Sequence, residues 1–355
     1  MVEGSQLRQA RKYLGLTPSE VAGHIGVPPE HVLDWEGGRS EPNVDELTQL
    51  AEVYHRGLDY FLRVTPAPPE SIHLRLAKPS VLGDIPAKDR EVLARFDELC
   101  RAEWELEQAL GISAPVDVPR PSAAGDPHRL ADLERQRLGV GPKPISKPRP
   151  LLEQLGVRVF ELEVPENSFA GLSWWHDEYG PCVLVNAGDP WGRRNFTLAH
   201  EYGHLLMGDA PGLCDLEDRA EERQANAFAA EFLMPAQPLL GDIATRGLPD
   251  EPNLKDLAPL AGRWGVSVQA LVIRLEQLSV VARGTAHRVT EDADATRPYY
   301  PRGRQPRWRR RLGDRFVSMV IEAHRGGHIS LGVLAHYLDL PVRKARDLVA
   351  QDTRE

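Results

Sequence analysis

The stretch Thr197-Leu198-Ala199-His200-Glu201-Tyr202-Gly203-His204-Leu205-Leu206 sets two histidines four residues apart inside an apolar run. Leu198, Leu205 and Leu206 recur at the spacing of a buried helix rather than a solvated loop. On a helix, residues i and i+4 share a face one turn apart, so both imidazoles can reach a single zinc ion. Glu201 then stands beside the metal, where a carboxylate can take a proton from the attacking water. With 12 His in 355 residues, H-E-x-x-H arises by chance about 0.03 times in such a chain, which makes coincidence a weak rival.

One element later comes Glu222-Arg223-Gln224-Ala225-Asn226-Ala227-Phe228, leading through Phe232 and Leu233 to Met234-Pro235. This reads as a second helix with an apolar face, and Glu222 supplies a third protein ligand that leaves the fourth metal position open. Glu217, Asp218 and Glu221 are rivals for that role. Glu221 points about 100° away from Glu222 on the same helix, so both cannot face the metal. Asn226 lies one turn after Glu222 on the same face, where its amide can orient a ligand by hydrogen bonding. Cys214 lies between the two motifs, where a thiolate could cap the metal as a redox lock, although loop cysteines near metals are more often bystanders.

The two motifs, Arg194-Asn195-Phe196-Thr197-Leu198-Ala199-His200-Glu201-Tyr202-Gly203-His204 and Glu222-x-x-Ala225-Asn226-x-Phe228 through Met234-Pro235, resemble the ImmA/IrrE family of bacterial metallopeptidases. The resemblance covers roughly residues 125–280. It implies zinc held by His200, His204 and Glu222, with Glu201 as general base. It further implies a regulatory protease whose substrate is a DNA-binding repressor.

The rest of the chain bounds this reading. Its 41% hydrophobic and 27% charged residues are ordinary for a globular protein of two or three domains. No apolar run approaches the ~20 residues that span a bilayer, and the start Met1-Val2-Glu3-Gly4-Ser5-Gln6 lacks a signal core. Cys100, Cys182 and Cys214 are odd in number and widely spread, which is no disulfide framework. A cytoplasmic location, with no membrane partner, is the expectation. The net charge of −9 means that any nucleic-acid contact must come from a local patch.

Residues 5–63 read as short helices punctuated at Gly15, Gly26 and Gly37-Gly38. Thr17 and Glu20 make a T-x-x-E capping box. The order Leu16-Thr17-Pro18-x-x-Val21-Ala22-x-x-Ile25-Gly26-Val27, then Trp35-Glu36-x-Gly38-Arg39-x-x-Pro42 and Leu47-x-x-Leu50-Ala51, resembles the Xre (lambda repressor/Cro-like) helix-turn-helix family. That resemblance makes Pro29–Trp35 the recognition helix and Glu30, His31 and Arg39 the candidate DNA contacts. The charge pulls the other way. Residues 1–63 hold six Arg/Lys against ten Asp/Glu, and phosphate contacts supply most non-specific DNA affinity. Pro18 stands where the family usually has a phosphate-binding glutamine. Glutamate can still read cytosine, so DNA binding and protein docking both stay open for this module.

Further along, residues 87–110 read as a helix with a packing stripe through Leu93, Phe96, Leu99, Trp104, Leu106 and Leu110. Helices are expected at 130–138, 148–155 and 254–280, and strands at 157–162, 169–175 and 181–186. Residues 302–315 carry seven arginines; Arg307, Arg309, Arg310 and Arg311 are either a solvated face or a patch for phosphate or an acidic partner. Ile329-Ser330-x-x-Val333-x-Ala335-x-x-Leu338 looks helix-turn-helix-like. His324 and His328 are four apart, but Gly326-Gly327 should end the helix between them.

The fold expected is multidomain and mainly α, with a small sheet in an α+β, zincin-like peptidase core. It divides into a helix-turn-helix at 1–65, a connector at 66–122, the peptidase at 123–283, an Arg-rich linker at 284–311 and a small helical unit at 312–355. Two functions follow. One is a zinc endopeptidase cleaving a repressor in a stress, phage or mobile-element response. The other is a non-enzymatic DNA-binding regulator or toxin–antitoxin component that uses the peptidase fold for binding or sensing. The presence of Glu201 favours the first.

Overall fold

The computed structural model describes residues 2, 4–14, 16–54, 61, 87–112, 116–119, 125–165, 168–208, 220–290 and 306–352. They divide into two compact units, one made of Met1–Ser113 with Arg307–Glu355, the other of Ala114–Pro306. The described chain is mainly helical with one three-stranded sheet, the class expected from its periodicity. No described helix is long and apolar enough to cross a membrane.

The first unit begins with α1 (Gly4–Tyr13), α2 (Pro18–Ile25), α3 (Pro29–Glu36) and α4 (Val44–Val53). Thr17 caps α2 through the reciprocal box with Glu20, and Asn43 caps α4 in the same way with Glu46. Each box satisfies amides that a helix start leaves without partners. Leu7, Val21, Val32, Trp35, Leu50 and Tyr54 form the core. Glu36 is buried within it and holds the Arg11 guanidinium by two hydrogen bonds, at 2.5 and 2.9 Å. Removing one member of such a pair leaves an uncompensated buried charge. Glu36→Gln should therefore destabilise α1–α4 by on the order of 3 kcal/mol, read as faster amide exchange confined to these helices in the full chain. Unchanged exchange there would refute this role.

Helix α5 (Ala87–Ala109) completes the first unit's scaffold. Its Ala94 packs into the α1–α4 core, while Phe96, Leu99 and Leu106 are fully covered; Trp104 and Leu110 of the expected stripe are only half-buried. The last helices of this unit dock on α5. Arg95 donates to the carbonyls of His336 and Tyr337, and Arg315 pairs with Glu103 and Glu107.

In the second unit, α6 (Pro127–Arg137) and α7 (Pro148–Gln154) precede β1 (Arg158–Leu162), β2 (Gly171–His176) and β3 (Gly180–Asn186). The sheet order is β1-β3-β2, with β1 parallel and β2 antiparallel to β3. All three strands are almost wholly buried, which suits a sheet packed on helices. Helices α8 (Trp191–Met207), α9 (Ala220–Leu233), α10 (Ala236–Arg246), α11 (Leu254–Trp264), α12 (Val268–Gln277) and α13 (Thr285–Thr290) follow. The segment 254–280, read as helical from sequence, breaks into α11 and α12 at Gly265, whose φ of 73° ends a helix without strain. Leu198, Tyr202, Leu205, Phe228, Phe232, Trp264 and Leu271 share one core with the strand residues Val159, Val183 and Val185.

Candidate metal centre

Helix α8 is gripped at both ends. The Asn195 amide donates to the carbonyls of Ser146 and Gly265 at 3.1 and 2.7 Å, and Gly208 closes the C-terminus in the left-handed region with its N–H on the His204 carbonyl. Against it lies α9, and the two backbones come close because Gly203 has no side chain; a Cβ there would meet the Phe228 ring at 2.9 Å. The far end of α9 is fixed by Glu231, which pairs with Arg274 of α12, faces His128 of α6 and accepts from the Ala236 N–H. With both helices held, three side chains converge. His200 Nε2 lies 3.0 Å from His204 Nε2 and 3.1 Å from Glu222 Oε2, and His204 Nε2 lies 3.5 Å from Glu222 Oε1.

These spacings can be tested against a metal. Ligand atoms at 2.0–2.1 Å from a tetrahedral zinc lie about 3.3 Å apart; the two imidazole nitrogens, at 3.0 Å, and the nearest Glu222 oxygen to each, at 3.1 and 3.5 Å, lie close to that value. Two imidazoles and one carboxylate are also the donor set of a catalytic zinc site with an open position. His200, His204 and Glu222 are the group of potential ligands found among the described residues. Asn226 Oδ1 accepts from His200 Nδ1–H at 3.0 Å, which fixes the tautomer that presents Nε2 to the cluster. Glu221 is exposed and outside the cluster. Cys214, Glu217 and Asp218 lie outside the described residues.

Glu201 is buried beside this cluster. Its Oε2 accepts from Ser173 Oγ at 2.8 Å, while its Oε1 has no hydrogen-bond partner among the described residues. A buried carboxylate oxygen without a partner is costly and points to a missing water, proton or cation. Burial pushes the Glu201 carboxyl above the usual carboxylate range, opposed by the His200 and His204 imidazoles and the Ser173 hydrogen bond. Strand β2 lies directly over it. A Cβ on Gly171 would meet Thr197 Cγ2 at 2.5 Å and Glu201 Oε1 at 2.8 Å. Gly171, Ser173 and Trp175 alternate along the strand, and the last donates from its indole to the Leu205 carbonyl. No motif in the sequence marks Gly171, Ser173 or Glu231 for this region, whereas Trp175 reads there as core or cleft wall. The alternation of small residues with bulk in Gly171-Leu172-Ser173-Trp174 was a usable signal, but it named no partner.

The remaining candidate residues lie in the first unit. Glu30 and His31 are exposed on α3, with His31 edge-on to Trp35. Arg39 is engaged with Asp34 at 2.6 Å. Helix α14 (Arg307–Leu312) carries Arg307 and Arg310 exposed and Arg309 and Arg311 half-buried, with Arg309 on Asp314 at 2.8 Å.

Comparison with known proteins agrees with this division. Residues 152–276 match the IrrE N-terminal-like domain family, and residues 7–61 match a helix-turn-helix family. The chain thus joins an IrrE N-terminal-like domain to a helix-turn-helix domain. It is similar to the radiation response metalloprotease IrrE of Deinococcus radiodurans, 33% identical over 125 residues, or 32% of this chain and 37% of that protein. The protein of the same name from Deinococcus deserti is 37% identical over 111 residues, 29% of this chain and 38% of its own length. The match thus spans less than two fifths of these relatives.

Proposed function

We propose that this protein is a zinc-dependent regulatory endopeptidase that cleaves a DNA-binding transcriptional repressor. The observation that carries the reading is the convergence of His200, His204 and Glu222 beside the buried Glu201. A zinc ion held there would act as a Lewis acid on the scissile carbonyl and lower the pKa of the attacking water. The chain's own residues do the rest. Glu201 takes the proton of the water as its oxygen attacks the carbonyl carbon, and returns it to the amide nitrogen as the C–N bond breaks. Strand β2, at the edge of the sheet, can align an extended peptide by backbone pairing beside α8.

The test is a search for new protein N-termini in cells making the wild-type chain, compared with cells making Glu201→Gln. New termini inside a DNA-binding repressor, present only with the wild type, support the reading; identical sets of termini overturn it. With the substrate in hand, Ser173 can be tested as a positioning residue. Loss of one hydrogen bond to a carboxylate is worth about 1.5–3 kcal/mol, so Ser173→Ala should lower kcat at least about tenfold with KM and zinc content unchanged, and Ser173→Thr should restore part of it. An unchanged kcat would remove Ser173 from the site.

A further inference from the structure

The end of the chain repeats the architecture of its beginning, residue for residue, at a constant offset along the sequence. Helices α15 (Asp314–Arg325), α16 (Leu331–Tyr337) and α17 (Val342–Asp352) follow α14. Ser330 caps α16 by accepting from the Val333 N–H at 3.2 Å, as Thr17 caps α2 by accepting from the Glu20 N–H at 3.2 Å. Nine residues beyond each cap the backbone enters the left-handed region, at Gly26 with φ 73° and at Asp339 with φ 53°. Asp is among the few non-glycine residues that tolerate this conformation. The next residue in each turn donates five residues back, Val27 to Ala22 at 3.1 Å and Leu340 to Ala335 at 2.9 Å, and a proline follows in both.

The correspondence extends into the preceding helix and the core. Arg11 donates to the Leu16 carbonyl, and at the same place His324 Nδ1 donates to the Ile329 carbonyl. Leu7, Ala10, Val21, Ala22 and Val32 are buried, and so are their counterparts Val320, Ala323, Leu334, Ala335 and Ala345. The last three helices are therefore a second helix-turn-helix, with α17 in the place of the recognition helix.

What differs is the outward face. On α3 it presents Glu30, His31, Leu33 and Asp34, and Asp34 holds the nearby Arg39. The same four positions on α17 are Arg343, Lys344, Arg346 and Asp347, all exposed. Arg343, Lys344 and Arg346 bear no ion pair among the described residues. Two carboxylates facing outward on the first module become three cations and one carboxylate on the second. Affinity for duplex DNA rests on cations that release counterions from phosphates, and recognition helices add base-edge contacts from arginine and lysine.

We propose that α15–α17 bind double-stranded DNA, with α17 in the major groove and Arg343, Lys344 and Arg346 contacting it. This inference goes beyond the peptidase reading and does not depend on it. The test measures full-length protein on a fluorescent mixed-sequence duplex of about 30 base pairs, across roughly 50–200 mM salt, by anisotropy. The triple variant Arg343→Ala, Lys344→Ala, Arg346→Ala alters only exposed side chains and should melt like the wild type. It should bind at least about tenfold more weakly at the lowest salt, with the salt slope reduced by about 2–3. Lys255→Ala, at an exposed lysine of the second unit, should change neither quantity. The proposal is overturned if the wild type does not bind at about 50 mM salt, or if the triple variant binds as the wild type does. It is equally overturned if only the variant of Arg307, Arg309, Arg310 and Arg311 to Ala loses affinity. A triple variant that keeps DNA but loses a co-purifying protein would make α17 a protein-docking face instead.

Discussion

Glu201→Gln is expected to leave the protein folded and its metal bound while lowering peptide cleavage by about 10²–10⁴-fold. The amide has nearly the shape of the carboxylate, and its oxygen can still accept from Ser173 Oγ, which now lies 2.8 Å away. What disappears is the proton acceptor. The burial of Glu201, only 1% exposed, sharpens the experiment, because its Oε1 has no other hydrogen-bond partner among the described residues. The check is a rate measurement on purified protein alongside a zinc assay. A variant as active as the wild type with zinc in place would refute the general-base assignment and leave the centre to binding or sensing.

The second large effect concerns the metal. Glu222→Gln and His204→Ala each remove a donor from a three-residue set, whereas Asn226→Ala removes only the partner of His200 Nδ1. Loss of such a supporting hydrogen bond typically costs about 10–100-fold in metal affinity. The two ligand variants should lose more than that, measured by competition with a chelating dye. A chelator should also destabilise the wild type. At a free zinc concentration about 1,000 times the dissociation constant, binding contributes about 4 kcal/mol, equivalent to about 8–16 °C in Tm for a unit of this size. If Asn226→Ala and Glu222→Gln weakened zinc equally, or if the chelator left Tm unchanged, the ligand assignment would fail.

The proximity of histidines to one another is written in the sequence, because a four-residue step on a helix is a fixed geometry that no packing is needed to create. The same holds for the capping boxes at Thr17 and Asn43, which are built from neighbours, and for the mainly helical class with three strands. Short, largely apolar runs likewise mark β1, β2 and β3 close to where they stand. Gly265, which splits one expected helix into α11 and α12, was legible only as a glycine; its left-handed φ shows why the chain stops there.

The sequence by itself determined which residue types could hold a metal, where they recur, and that a helix-turn-helix begins the chain. The tertiary structure alone decided what meets them. Ser173 and Glu201 are far apart in sequence and joined by one hydrogen bond; Gly171 lies on Glu201 only because β2 packs on α8; and Glu231 fixes α9 through Arg274 of another helix. Contacts of this kind depend on how whole elements dock, and docking follows from summed burial of many side chains rather than from any local spacing. The second helix-turn-helix shows both sides. Its cap and apolar spacing are visible in the sequence, whereas its matching turn, left-handed residue and recurrent backbone hydrogen bonds belong to the folded backbone at Gly26, Asp339, Val27 and Leu340. A turn is specified by dihedral angles and hydrogen bonds that different residues can satisfy, so Gly26 and Asp339 share a conformation that their side chains do not announce.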